Sequence, residues 1–234
     1  MIQLHQFPTG FGLPNLSPFC MKVETFLKLA ELPYEICWQQ GPRGAPLKKL
    51  PFIKDGDAVV ADSHNILDYL TQRHGADLNR HLSTEQKAVS LAFERLLSDH
   101  LYWAMLYSRW VDEAGWAQYK PVLFGALPAL LRSPVAGLVR KTQIKRTRGH
   151  GLGTLPSAEI YRQAGEDIDA IAGWLGDKTY FMGDTPSRVD ASVYAFIGMS
   201  YELPLANPFK HLIAAHPNLV AYCGRMKQRC FPKT

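Results

Sequence analysis

Short extended patterns and helical patterns alternate in the first third of the chain. Apolar side chains alternate weakly over residues 2–7, and residues 34–38 form a second short apolar run. Between these runs, Ser17 and Pro18 are typical of a helix N-terminus, and the apolar residues that follow are spaced three or four positions apart until Pro33. Because short apolar runs with a period of two indicate strands, the pattern predicts a strand, a helix and a second strand.

A β-hairpin and a second helix are predicted next. Residues 50–53 and 58–61 are short apolar runs on either side of a turn at Gly56, which is the usual signal for paired antiparallel strands. Asp62 and Ser63 then precede an apolar helical face, where they can cap the free amides of its first turn. The order strand, helix, strand, strand, strand, helix fits an α/β sheet with a parallel first pair and an antiparallel hairpin.

Helical periodicity dominates the rest of the chain. Beyond about residue 82 no strand pattern competes with it. We expect long helices over residues 84–113, 158–175, 188–201 and 218–228. Ser187 and Asp190 have the spacing of a capping box, in which two side chains satisfy amides at a helix start. We therefore predict an α/β domain at residues 1–77 and an all-α domain at residues 83–234.

The composition is that of a globular protein with reduced cysteines. With 234 residues, of which 47% are hydrophobic, the chain can bury a core without disulfides. Its four cysteines include no C-x-x-C pair and its eight histidines show no ligand spacing, so we expect neither a disulfide framework nor a metal site. The N-terminus has no basic start and no apolar run long enough for a signal peptide. We expect a cytoplasmic protein.

The net charge of +5 comes from one segment. Residues 114–158 contain seven Lys or Arg and no Asp or Glu; subtracting these seven from the total of 26 leaves 19 basic against 21 acidic residues elsewhere. Such a local block does not predict nucleic-acid binding. Residues 121–155, whose bases concentrate at 132–148, have three interpretations: an interfacial helix on anionic lipid, a lid over a cleft, or a charged solvated face. The solvated face is favoured, and membrane contact is not.

Three short motifs occur in a characteristic order. Ser17-Pro18-Phe19-Cys20 opens the first helix, Leu50-Pro51 precedes the hairpin, and Asp62-Ser63 opens the second helix. In this order they resemble the glutathione-binding domain of the glutathione transferase superfamily, and residues 183–190 resemble its helical-domain capping box. Residues 15–25 are similar to the failed-axon-connections and metaxin-like branch. The resemblance implies an N-terminal thioredoxin-like βαβββα domain, a C-terminal helical bundle, glutathione as the ligand and a homodimer as the assembly.

Three residues are candidates for acting on the glutathione sulfur. Ser17 stands where a hydrogen-bond donor and a helix N-terminus together favour a thiolate, and a purely capping role is its alternative. Cys20 closes a motif similar to that of thioredoxins with the first cysteine replaced, so a reactive thiol is considered, but an inert, packed cysteine is favoured. Asn15 could donate to the sulfur, although a turn residue is favoured there.

Four residues are candidates for holding the rest of the tripeptide. The resemblance implies a cis bond at Pro51, which would turn the Leu50 backbone outward to pair with the cysteinyl backbone of glutathione. A trans proline at a strand start is the alternative. The resemblance further implies that Ser63 and the first-turn amides bind the γ-glutamyl carboxylate, while Asp62 faces the ammonium group. Plain helix capping is the alternative for this pair.

The second substrate is expected to be apolar. Trp103, Tyr107 and Trp110 form an aromatic stripe on one helix face, and we expect its upper end to line a cleft. Lys48 or Lys49 could meet the glycyl carboxylate of glutathione.

These residues predict a glutathione transferase-like enzyme that activates the thiol for attack on an apolar electrophile. Two alternatives stay open. One is a non-catalytic glutathione-binding or membrane-associated scaffold of metaxin-like type, and the other is a Cys20-dependent thiol reductase.

Overall fold

The computed structural model describes residues 1–232 and begins with a four-stranded sheet. The strands are β1 (Ile2–Gln6), β2 (Tyr34–Trp38), β3 (Phe52–Asp55) and β4 (Ala58–Ala61), in the spatial order β2-β1-β3-β4. β1 pairs with β2 in parallel and with β3 in antiparallel orientation, and β3 and β4 form the hairpin. The parallel pair and the hairpin predicted from the sequence are therefore confirmed.

Two helices complete this part of the chain. α1 (Pro18–Leu29) and α2 (Ser63–His74) contact each other, and α2 also packs against β3 and β4. Their N-caps are Ser17 and Asp62, as predicted. Gly75 ends α2 in the left-handed conformation with a φ of 66°, which glycine adopts without steric cost.

The remaining helices form an all-helical second part. α3 (Thr84–Arg95) continues through a π-helical turn, Leu96–Leu101, into α4 (Tyr102–Trp110). A second π-helical turn, Tyr194–Gly198, joins α8 (Arg188–Val193) to α9 (Met199–Glu202). The other helices are α5 (Glu113–Phe124), α6 (Ala129–His150), α7 (Ser157–Leu175), α10 (Pro208–Ala214) and α11 (Pro217–Cys230). The predicted helical character is confirmed; residues 233 and 234 of the predicted range lie outside the described residues.

One helix prediction needs correction, and one further segment contains helices whose bounds the sequence pattern did not predict. The helix predicted over residues 84–113 ends at Trp110, because Asp112 starts a separate helix by accepting a hydrogen bond from the Gly115 amide at 3.1 Å. Residues 121–155, for which the sequence analysis gives three interpretations, contain the end of α5 and all of α6. Pro121 and Pro134 lie inside these helices, although a proline removes one helical hydrogen bond and usually marks a helix end.

The two parts of the chain share one apolar core. α1 packs against α8 and the π-helical turn after it, so the core is continuous between them. The predicted capping box is present at the start of α8: Asp190 accepts hydrogen bonds from the amides of Ser187 at 2.8 Å and Phe181 at 2.7 Å, and from the Tyr222 hydroxyl at 3.0 Å. Burial raises the pKa of Asp190, and these hydrogen bonds oppose that shift.

A smaller apolar cluster lies within the α5–α6 hairpin, residues 113–150. Trp116, Phe124 and Ala136 are its buried members, and Trp110 packs against them. This cluster is separate from the main core. Within residues 1–232, no helix combines the length and the hydropathy needed to cross a bilayer.

Candidate active site

A cavity of about 450 Å³ opens between the sheet part and the helical part. From the sheet part, its lining includes Phe7, Ser17, Lys22, Leu50, Pro51, Asp62 and Ser63. From the helical part, it includes Glu94, Tyr102, Trp103, Leu106, Arg109, Trp110, Gln143 and Arg146. Five of the seven candidate residues for the sulfur and the tripeptide therefore line one cavity. Asn15 and Cys20, the other two, do not line it.

Ser17 stands at the N-terminus of α1 and on the cavity wall. Its Oγ accepts a hydrogen bond from the Cys20 amide at 3.4 Å, so Ser17 caps the helix, and the same hydroxyl also contacts the Cys20 thiol. Pro18 has no amide proton, and the Phe19 amide forms no hydrogen bond with another residue of the described chain. A sulfur placed here would meet a hydroxyl donor and the positive end of the helix dipole.

Asn15 is fully buried and holds the loop before α1. Its Nδ2 donates to the Phe7 carbonyl at 2.6 Å, and its Oδ1 accepts from the Ser17 amide at 2.9 Å. The side chain thus bonds to the backbone on both sides of the loop. This is the turn role that the sequence favoured, and it fixes the position of Ser17.

Cys20 is fully buried beneath the first turn of α1. Burial raises the pKa of its thiol to about 12, although a hydrogen bond with the Phe7 backbone and another with the Ser17 side chain act in the opposite direction. A thiol with this pKa stays protonated at neutral pH, and nucleophilic chemistry requires the thiolate. The environment is that of a packed cysteine, and it argues against the candidate role of Cys20 as a reactive thiol.

The peptide bond between Leu50 and Pro51 is cis, as the family resemblance implied. Leu50 lies before β3, and no hydrogen bond joins its amide or carbonyl to another residue among those described. An extended peptide lying alongside Leu50 could therefore form the backbone hydrogen bonds of an added strand.

Asp62 and Ser63 form the far end of the cavity wall. Asp62 has a φ of 76°, which is rare for any residue other than glycine, and its Oδ1 accepts from the amides of His64 at 2.9 Å and Asn65 at 3.3 Å. Ser63 is buried, and within residues 1–232 its amide and hydroxyl have no hydrogen-bond partner. The start of α2 can therefore bind a carboxylate through Ser63 without losing its cap.

An ionic cluster next to Ser63 joins the two parts of the chain. We use this name for Lys22, His64, Glu94 and Arg188. The Glu94 carboxylate lies 3.3 Å from Lys22 Nζ, 3.3 Å from Arg188 Nε and 3.6 Å from His64 Nδ1. Burial opposes ionisation of Glu94, but the contact with His64 and the charges of Lys22 and Arg188 outweigh it and bring its pKa to about 2.

Burial lowers the pKa of Lys22, and its pairing with Glu94 offsets this shift only in part. The sequence analysis did not find the cluster. Lys22 and Glu94 are 72 positions apart, and Arg188 is 124 positions from His64. No local pattern joins such distant residues. A charged residue on a helix face that is otherwise apolar, as at Lys22 in α1, is the only signal the sequence offers.

Aromatic residues of α4 form the wall opposite Ser17. Tyr102, Trp103 and Trp110 line the cavity, whereas Tyr107 packs against Tyr161 outside it. The expected aromatic stripe is thus divided between the cavity and the core. Its side towards the cavity is aromatic, with Arg109 and Arg146 also in the lining.

Tyr102 is the polar group in this aromatic wall, and its ring packs edge-on against Phe19 at 4.7 Å between centroids. Burial raises the pKa of Tyr102, while the charges of Arg146 and Arg109 oppose the shift. The phenol therefore stays protonated at neutral pH, beside two cations that favour negative charge on its oxygen or on a group bound to it.

Lys48 and Lys49 also line the cavity, near Leu50. Lys48 Nζ donates to the Arg43 carbonyl at 2.9 Å. Both remain candidates for a carboxylate at this end of the cavity.

Two family models match the chain. The model of the glutathione S-transferase N-terminal domain matches residues 18–115, and that of the glutathione S-transferase C-terminal domain matches residues 164–226. Between them they include the start of α1, the cis proline, the start of α2 and the capping box at Ser187.

The similar curated proteins include one that is named as a glutathione S-transferase and others whose names give no enzymatic activity. The chain is 31% identical to isoprene-epoxide glutathione S-transferase from a Rhodococcus species, over 98% of this chain and 99% of the relative. It is 31% identical to Failed axon connections of Drosophila melanogaster, over 99% of this chain and 58% of that longer protein. It is 26% identical to Metaxin-1 of Macaca fascicularis, over 99% of this chain and 75% of the relative.

Solved structures share the fold at lower identity. The apo form of glutathione S-transferase III is 19% identical with a TM-score of 0.64, covering 99% of this chain and 94% of that one. The beta-etherase LigF from a Sphingobium strain is 14% identical with a TM-score of 0.68, covering 100% of this chain and 99% of that one. A family member from Pseudomonas fluorescens with two glutathione molecules bound has a TM-score of 0.64 at 15% identity, covering 99% and 91%.

Proposed function

The chain belongs to the glutathione S-transferase superfamily, and on that premise we propose that its cavity binds glutathione and activates the thiol for attack on an apolar electrophile. One observation carries the proposal. Ser17 at the start of α1, the free backbone of Leu50 and the free amide and hydroxyl of Ser63 line the same cavity. Their chemistry suits the thiol, the peptide backbone and the γ-glutamyl carboxylate of a single tripeptide.

Ser17 and the first turn of α1 activate the thiol of glutathione. The Ser17 hydroxyl donates a hydrogen bond to the sulfur, and the helix N-terminus adds its positive end, so the charged thiolate is favoured over the thiol. Asn15 keeps Ser17 in place through the Ser17 amide. Each unit by which the thiol pKa falls corresponds to about 1.4 kcal/mol.

The electrophile binds against Tyr102, Trp103 and Trp110, and we infer that it carries an oxygen that becomes negatively charged during the reaction. The relative from Rhodococcus is named for an epoxide substrate. The Tyr102 phenol, kept protonated by burial and flanked by the charges of Arg146 and Arg109, suits such an oxygen.

With an epoxide as the electrophile, the reaction opens the three-membered ring. The thiolate sulfur attacks a ring carbon and forms the C–S bond, while the C–O bond breaks and its electron pair moves to the oxygen. Tyr102 donates a proton to this alkoxide and regains one from water. The net reaction joins glutathione and the epoxide to give a hydroxy thioether.

The test combines binding with turnover. Calorimetry with glutathione and with S-methylglutathione, which lacks the thiol proton, measures binding separately from chemistry. Turnover is then followed with styrene oxide and with an aryl halide such as chlorodinitrobenzene. We expect micromolar to millimolar binding of both peptides and conversion of the epoxide. Absence of any heat with glutathione, using folded protein, would overturn the proposal.

A second candidate function is a glutathione-binding scaffold without turnover. The similarity to Failed axon connections and Metaxin-1 supports it. The same experiment distinguishes the two candidates: binding of glutathione without conversion of any electrophile in a broad panel would favour the scaffold.

A further inference from the structure

The outward surface of α6 is apolar at its start and basic towards its end. Leu130, Leu131 and Leu138 are 91%, 54% and 69% exposed. Further along the same side of the helix, Lys141, Lys145 and Arg148 are also exposed. We call these six residues the α6 outer face. The spacings of seven, three, four and three positions from Leu131 to Arg148 place five of them on one side of the helix, and Leu130, five full turns before Arg148, lies on the same side.

The three bases of the α6 outer face have no acidic neighbour. In the part of the chain that the structure describes, none of them forms an ion pair or a hydrogen bond through its side chain. The α5–α6 hairpin contains a single acidic residue, Glu113, and this carboxylate pairs with Arg140 at 2.7 Å. The positive charge of the outer face is therefore uncompensated.

The other basic side chains of α6 have partners inside the protein. Arg132 donates to the Gly125 carbonyl at 2.8 Å, and Arg140 donates to the Trp110 carbonyl at 2.9 Å. Arg146 lies over the Trp103 ring at 6.0 Å. The structure thus separates the basic block into residues that hold the fold and three that face outward.

We propose that the α6 outer face docks on an anionic lipid bilayer, with α6 parallel to the membrane surface. Leucines that enter the acyl boundary and lysines that meet lipid phosphates are the two components of interfacial helix binding. The exposed leucines and the exposed bases lie on the same side of α6. Five of the large apolar side chains exposed by the protein, Val122, Leu130, Leu131, Val135 and Leu138, lie in this hairpin.

A second copy of the chain fits this surface less well. A two-fold contact uses the same patch on both subunits, so the bases of one copy would face either the bases or the leucines of the other. In neither arrangement does Lys141, Lys145 or Arg148 find a negative partner. An anionic bilayer supplies negative charge and an apolar interior at the same surface.

Docking through this face would also serve access to the cavity. Gln143 and Arg146, on the other sides of the same helix, belong to the cavity lining. A bilayer-bound protein would therefore hold the cavity close to a phase in which apolar compounds accumulate. The docking itself needs no catalytic activity, so its test is independent of turnover.

The test is co-sedimentation of the full chain with vesicles of phosphatidylcholine, with and without phosphatidylserine, at low and high salt. We expect binding only when phosphatidylserine is present, and weaker binding at high salt because ions screen the contact. The variant Lys141→Gln, Lys145→Gln, Arg148→Gln should weaken binding about fivefold for each charge removed. The variant Leu130→Gln, Leu138→Gln should weaken it at both salt concentrations.

The matched control is Lys87→Gln, Leu91→Gln, which removes one exposed base and one exposed leucine from α3. It should bind vesicles like the unchanged protein. All substituted side chains are exposed, so circular dichroism should show every variant folded. Absence of vesicle binding, or binding that neither α6 variant reduces, overturns the proposal. Light scattering that shows a dimer lost in the leucine variant, without vesicle binding, would assign the face to a second copy instead.

Discussion

The Lys22 ammonium lies 3.3 Å from the Glu94 carboxylate, and both side chains are at most 5% exposed. This ion pair joins α1 of the sheet part to α3 of the helical part. Arg188 from α8 reaches the same carboxylate. The pair therefore lies where the two parts of the chain meet the cavity, and its charge state affects both stability and the shape of the site.

Glu94→Gln should destabilise the protein by about 3 kcal/mol or more at neutral pH, since it leaves Lys22 buried without its carboxylate partner and leaves Arg188 only its pairing with Asp68. The folded pKa of Glu94 is about 2 and its ordinary value 4.5, so the stability that it contributes is complete above about pH 5 and is lost as the pH falls towards 2. The difference in unfolding free energy between the Glu94→Gln variant and the unchanged protein should shrink by up to roughly 3 kcal/mol as the pH falls from 5 to 2. Urea unfolding at a series of pH values measures it.

Glu85→Gln, an exposed carboxylate on the same helix, is the control for this titration. Its unfolding free energy should stay close to that of the unchanged protein at each pH. A Glu94→Gln difference that is constant from pH 5 to pH 2 would contradict an ionised, paired Glu94.

Ser17→Ala should lower turnover about a hundredfold and change glutathione affinity by less than about threefold, because the lost hydroxyl stabilises the thiolate more than the bound peptide. The apparent pKa of the bound thiol, read from thiolate absorbance, should rise. Ser17→Thr keeps a hydroxyl at the helix cap and should retain most activity. Equal turnover by the alanine variant would show that Ser17 is only a cap.

Ser63→Ala should raise the glutathione Kd about tenfold, since a hydrogen bond to a charged carboxylate contributes on the order of 1.5 kcal/mol or more. Binding of cysteinylglycine, which lacks the γ-glutamyl group, should not change. Ser83→Ala replaces a serine at the start of α3, outside the cavity, and should leave both affinities unchanged. Calorimetry measures the affinity of each variant for glutathione and for cysteinylglycine. Equal weakening of the binding of both peptides would mean that Ser63 does not bind the γ-glutamyl carboxylate.

Tyr102→Phe should lower kcat/KM for styrene oxide about tenfold or more while leaving the aryl halide within about twofold, because chloride leaves without a proton and an alkoxide needs one. Tyr107→Phe, on the same helix but packed against Tyr161, is the matched control. Steady-state kinetics with both substrates measures the ratio. A parallel loss for the two substrates would indicate a packing defect instead of a donor.

Asp190→Ala should destabilise the fold by about 3 kcal/mol or more, because it leaves the amides of Phe181 and Ser187 buried without an acceptor. Asp184→Ala, an exposed aspartate nearby, should cost less than about 1 kcal/mol. Thermal or urea unfolding compares them. A loss at Asp190 no larger than at Asp184 would contradict the role of the capping box in stability.

The sequence predicted features that depend on neighbouring residues. The strand pair, the hairpin and the caps at Ser17, Asp62 and Ser187 follow from alternation and local hydrogen bonding, and all are present. The cis bond at Pro51 was different, because no local pattern distinguishes it from a trans bond. Only the family resemblance implied it.

Features that depend on distant residues were not predictable in this way. The ionic cluster joins residues of α1, α2, α3 and α8, and its members show no common spacing. The α5–α6 hairpin was missed for another reason. Pro121 and Pro134 are residues that local rules disfavour inside a helix, yet both lie within helices whose packing includes the contact of Arg140 with the Trp116 ring.

Because the apolar cluster centred on Trp116 and Phe124 is separate from the main core, the cavity is lined by residues from two separately packed regions. Met105 lines the cavity from the main core, whereas Gln143 and Arg146 line it from α6, which contributes Ala136 to the separate cluster. Substitutions in that segment can alter which second molecule fits without disturbing the first. On the proposed function, sequence change in α6 would alter the choice of electrophile and leave the glutathione contacts of the sheet part intact.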